Sequence, residues 1–155
     1  MDLYLLVKTL HILNGAVLFG TGLGIAFFML RSHFTASLQE KLYAARNTVL
    51  ADALFTLPAV IIQPLSGLWL VDRAGYGWTE AWLVTTYGLY VLAGVCWLPV
   101  VWIQLRLKAM LAESLRTGAA LPASYRTLFR AWFLLGWPAF LGLVAIYWLM
   151  VVKPG

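Results

Sequence analysis

The stretch Leu3 to Leu30, LYLLVKTLHILNGAVLFGTGLGIAFFML, contains one formally charged side chain, Lys8. A helix needs about 20 predominantly apolar residues to cross a hydrocarbon layer of roughly 30 Å, and this run exceeds that length. It is also longer than the apolar core of a secretory signal, and Asp2 precedes it where a signal would carry basic residues, so it is expected to remain as a first spanning helix. Three further runs qualify, at about Thr48 to Val71, Trp82 to Leu105 and Trp132 to Val152. The expected fold is all-α and membrane-embedded. It is a single domain over residues 1–155, an antiparallel bundle of four transmembrane helices at about 3–30, 48–71, 82–105 and 132–152.

Composition supports this class. Of 155 residues, 63% are hydrophobic and 11% charged, against roughly 45–50% and about 25% in ordinary soluble domains. A chain this short has too little interior to hide the excess, so lipid must cover it. The eight Trp, seven Tyr and eight Phe suit that solvent, because amphipathic aromatics collect at headgroup level. The single cysteine, Cys96, lies in an apolar run and excludes an intrachain disulfide or a multi-cysteine metal site. The net charge of +5 comes from Lys and Arg between the apolar runs, which reads as membrane topology and not as a nucleic-acid surface.

The distribution of those cations sets a direction. The first connection holds Arg31, Lys41 and Arg46 and the third holds Arg106, Lys108, Arg116, Arg126 and Arg130, whereas the opposite side has Lys8, Arg73 and Lys153. Basic loops stay in the cytoplasm, so the expected location is the bacterial inner membrane with both termini periplasmic. The second connection, with Gly75, Gly77 and Trp78, reads as a short interfacial turn. In the third, Arg106 to Arg116 continues helically, Thr117-Gly118 stops it and Pro122 can open the next helix. The cytoplasmic loops are therefore expected to carry helical extensions with basic, solvated surfaces. Pro58, Pro64, Pro99 and Pro138 are expected to kink the helices that contain them.

Chemistry, if present, must lie between the helices, since no soluble domain exists to carry it. Ionisable residues inside spanning segments are costly and mark candidate sites. Here they are Lys8, His11 and Asp52, with Asn14, Gln63 and Gln104 as uncharged polar additions. Lys8 can reach the interface on its long stem. His11 shares a face with Lys8, Asn14 and Gly15 by helical spacing and needs a partner: a hydroxyl, a metal or a haem iron. Thr48, Asp52 and Thr56, continued by Ala59 and Gln63, form a stripe that must face the bundle interior. Counted from opposite membrane faces, His11 and Asp52 fall at similar depth, which allows a direct or water-bridged pair; Arg46 and Arg130 are the alternative partners of Asp52. Phosphate-binding loops, nucleophile elbows and the His-Glu-x-x-His zinc motif are absent from the sequence.

The segment Lys8-Thr9-Leu10-His11-Ile12, followed by a glycine-rich helix ending at Arg31-Ser32-His33, resembles the first helix of the oxygen-independent protoporphyrinogen oxidase family and its copper-resistance D relatives. Over its whole length, with Asp52, Pro58-Ala59, Gln63-Pro64, Gly67 and Trp82-Leu83, the chain looks most like a family of predicted integral membrane proteins, domain of unknown function 2269. The first resemblance implies a haem- or porphyrin-associated redox or accessory role, with His11 as the haem iron ligand; the intramembrane polar residues themselves group His11 with Asp52, Lys8 and Asn14 as an expected inter-helix site for haem b or a proton path. The oxidase family also uses a lysine within a later helix, and the third helix here has none before Lys108. Two other functions compete: an oxidase of a porphyrinogen-like or quinol substrate, and a small transporter or subunit of a larger complex. The expected partners are the lipid bilayer and further copies or subunits, with no nucleic acid.

Overall fold

The computed structural model describes residues 2–154. Five α-helices make four long rods: α1 (Leu3–His33), α2 (Leu38–Ala51), α3 (Leu57–Ala74), α4 (Ala81–Thr117) and α5 (Ser124–Val152). A π-helical turn, Asp52–Thr56, joins α2 and α3 into one rod of 37 residues. All four rods are long and apolar enough to cross a membrane, with mean hydropathy of 1.8 to 2.0 in their most apolar stretches. The described residues contain no strand.

The helix ends follow from local chemistry. The Asp2 carboxylate accepts from the Tyr4 amide at 2.9 Å and caps α1. Ser37 Oγ accepts from the Glu40 amide at 3.2 Å, so α2 begins at Leu38, well ahead of the expected start near Thr48. The signal was the sequence Ser37-Leu38-Gln39-Glu40, a capping box pattern. Gly75 and Gly118 end α3 and α4 with φ of 72° and 71°, the left-handed region that a side chain would disfavour. The π turn lies directly ahead of Pro58, near the start of α3. Proline has no amide proton and its ring crowds the carbonyl one turn earlier; the wider π turn relieves that crowding.

The best-packed core is not in the middle of the spans. Met29 from the end of α1, Leu42 and Ala45 from the start of α2, Leu107 and Leu111 from the end of α4, and Phe129 from α5 are all buried together. The extensions expected to be solvated are thus half of a tight junction, here called the basic end. The repeat Val100, Gln104, Leu107, Leu111, Ser114 supplies its α4 face at three-and-four spacing. Trp132 is 5% exposed within it. At the terminal end a smaller cluster of Val71, Trp82 and Leu83 closes the bundle, and Lys153 Nζ donates to Tyr76 Oη at 2.6 Å across it. Between the two ends the outer faces stay bare: Phe28, Leu65, Leu98, Leu134 and Trp148 are more than 60% exposed, as lipid-facing residues should be.

Candidate functional site

Two polar clusters occupy the interior, and they are separate. The first ties α1 to α3. Asn14 Nδ2 donates to the Ala59 carbonyl at 3.0 Å and to Gln63 Oε1 at 2.6 Å. Gln63 Nε2 in turn faces His11 Nε2 at 3.2 Å, and His11 Nδ1 lies 2.7 Å from Ser66 Oγ. Ser66 has a single hydroxyl proton, placed to donate to the Ile62 carbonyl at 2.7 Å. Its oxygen therefore accepts from His11 Nδ1, and Nε2 accepts from Gln63. The chain of donors fixes the imidazole tautomer and uses both ring nitrogens. Close backbone approach makes this possible. A methyl group on Gly67 would meet His11 Cε1 at 3.1 Å, and one on Gly15 would meet Tyr147 Oη at 2.9 Å.

The contact between His11 and Asp52 that their depths allow is not made; His11 meets Ser66 and Gln63 instead. Ser66, which holds His11, is about four turns beyond Asp52, or ~21 Å along the axis at 1.5 Å per residue. The depth estimate failed because the α2–α3 rod starts ten residues earlier than its apolar run, at Leu38. Lys8 is exposed and lies over the Tyr4 ring at 5.9 Å from its centroid, away from the histidine network. The His11 cluster predicts a stability effect. Removing the ring in His11→Ala strands the Gln63 amide and Ser66, at about 1–3 kcal/mol for the lost partners. Thermal unfolding in mild detergent reads this loss.

The second cluster is built on Asp52. The stripe Thr48, Asp52, Thr56 faces inward as its spacing requires, with exposures of 2%, 4% and 5%. Thr56, Gln104 and Trp97 face the Asp52 carboxyl. Neither Arg46 nor Arg130 pairs with it; both are exposed, and the ion pair found among the described residues joins Glu113 and Arg116. Five buried polar atoms here end without a hydrogen-bond partner: Asp52 Oδ2, Thr56 Oγ1, Gln104 Oε1, Trp97 Nε1 and Trp132 Nε1. An unmet buried polar group costs about 1–3 kcal/mol, so five together mark a place that water or a ligand must satisfy.

The residues that carry these atoms line the floor of a cavity of about 390 Å³ whose walls come from all four rods. Gly22 and Ala26 of α1 and Gly136 and Ala139 of α5 line it, and their small side chains leave the space between the two helices unfilled. Above and below, α1 and α5 meet through rings: Phe19 stacks on Phe140 with centroids 5.2 Å apart, and His33 on Phe129 at 4.2 Å. Between those contacts, Leu23, Phe27, Phe133 and Trp137 line the cavity and are also 37–56% exposed. They are the lips of an opening on the lipid-facing side. Trp97 and Trp132 were invisible as site residues in the sequence, where tryptophan reads as an interface anchor. Gln104 was among the polar candidates, and its place in the inward repeat of α4 was the available signal.

Four apolar rods with a polar interior and bare outer faces define a multi-pass integral membrane protein. Residues 5–154 match the family model described as predicted integral membrane protein (DUF2269), and the chain belongs to that family. No curated protein and no solved structure matches it.

Proposed function

We propose that this protein binds a small hydrophobic molecule taken sideways from the bilayer, as an accessory or transport component of the bacterial inner membrane. The observation that carries the reading is a largely apolar cavity of about 390 Å³ with a few unpaired polar residues at its floor and exposed aromatic lips. Ligand sites are mostly apolar concavities with a few placed polar groups, commonly between the helices of a bundle. The basic end, which carries eight Lys and Arg against three elsewhere, faces the cytoplasm in this proposal, and both termini face the periplasm. The floor then sits nearer the cytoplasmic side.

A haem is the cofactor that the resemblance of the first helix raises, and the residues do not fit it in this arrangement. His11 is absent from the cavity lining, and both its nitrogens are engaged. The other imidazole, His33, is stacked on Phe129 beyond the cavity floor. The lining contains no Lys or Arg to receive propionates.

The test uses the cavity's own indoles. Trp97, Trp132 and Trp137 line it, so a neutral heavy-atom quencher, 1-bromonaphthalene, titrated into protein in non-ionic micelles should quench part of the emission saturably. Quenching that rises without saturation, as simple partition into the micelle gives, contradicts the reading.

A further inference from the structure

We propose that the molecule for which this cavity is built is a hydrophobic cation, with Asp52 as its counter-ion. The inference rests on the cavity reading above and adds the charge of the occupant. Asp52 is 4% exposed, its Oδ2 has no partner, and the lining contains no Lys, Arg or His. A carboxylate taken out of water without a counter-charge is strongly disfavoured, so the favoured occupant brings the missing positive charge with it. Gln104 Oε1, also unpaired and 1% exposed, adds a second negative pole at the same floor.

The walls select the rest of the ligand. Trp97, Trp132, Trp137 and Phe140 surround the space with aromatic faces, which attract a cation through their quadrupoles and bury its apolar substituents. An anion meets the opposite situation: a carboxylate on the floor and no cation in the lining. Trp97 Nε1 and Trp132 Nε1 are unpaired donors beside it, suited to a cation that also carries an acceptor oxygen. Entry past Leu23 and Phe133 lets such a molecule arrive from the bilayer, where hydrophobic cations concentrate.

The experiment titrates tetraphenylphosphonium, tetraphenylborate and 1-bromonaphthalene into wild type and Asp52→Asn in the same non-ionic micelles. Comparing the two proteins with one probe at a time removes the different micelle partition of each probe. The expected result is an affinity for tetraphenylphosphonium lowered at least about tenfold in Asp52→Asn, as loss of a unit charge at contact distance in a poorly screened site requires. Asp52→Glu should restore most of it. Tetraphenylborate should shift the other way, and 1-bromonaphthalene should change by less than about threefold. Equal tetraphenylphosphonium affinity in the two proteins overturns the proposal, as does loss of both probes together, because the substitution then acts on the cavity and not on charge. Failure of 1-bromonaphthalene to saturate wild type is a different result and strikes the cavity reading itself.

Discussion

The double variant Gly22→Leu with Gly136→Leu is expected to be at least as stable as the wild type and to bind the neutral probe at least about tenfold more weakly. Both glycines line the cavity, and a Cβ added to either meets nothing within 4 Å, so a leucine side chain starts into open space at each position. Leucine is also the better helix former, by roughly 0.5–1 kcal/mol per site in an exposed helix interior. Loss of function with gain of stability is the signature of filling a site that the fold keeps empty at its own expense. A midpoint that falls sharply in detergent melts would mean that α1 and α5 close up where they are here held apart.

A second large effect is expected at the other kind of interior position. Leu107 is fully buried in the junction at the basic end. Leu107→Ala should cost about 2–5 kcal/mol, the range for removing a packed leucine and leaving a void. Leu134→Ala, 66% exposed on α5 and facing lipid, should stay within about 0.5 kcal/mol. Thermal unfolding of the three proteins in one detergent checks the contrast. Similar midpoints for both variants would place the stabilising core within the spans and not at their extensions.

That contrast also shows how far the sequence could be read. The four crossings were legible because lipid imposes a length and an apolarity on every segment. Thr48, Asp52 and Thr56 were legible as an inward stripe because helical spacing fixes a common face. Gly118 was legible as a stop because its φ of 71° suits a residue without a Cβ. The partner of His11 was not. Spacing within α1 says which face the ring occupies, but the height of Ser66 opposite it depends on how far α2 runs before the membrane, and that is set by the Ser37 cap. The π turn before Pro58 interrupts the regular helix, yet Thr56 and Ala59 beyond Asp52 stay buried, so the inward stripe continues through it.

The cavity was the least legible feature, because it is made of what is missing. Glycines in membrane helices ordinarily let neighbouring backbones approach closely, and Gly22, Gly94 and Gly136 do not. In the structure each has open space beside it and borders the cavity, while the close approaches are made at Gly15 and Gly67. Which small residue ends in contact and which in a gap depends on the bulky residues flanking it: Phe19, Phe140, His33 and Phe129 prop α1 and α5 apart on either side of the opening. The same props explain how five unpaired polar atoms can persist on the floor, since the helices cannot collapse on them.

The central claim, a ligand cavity open to lipid between α1 and α5, is tested most directly by titrating 1-bromonaphthalene into the wild type and the Gly22→Leu, Gly136→Leu variant side by side while tryptophan emission is recorded. The account predicts saturable quenching in the wild type that disappears in the variant while its fold and midpoint are kept. Identical, unsaturated quenching curves for the two proteins would contradict it.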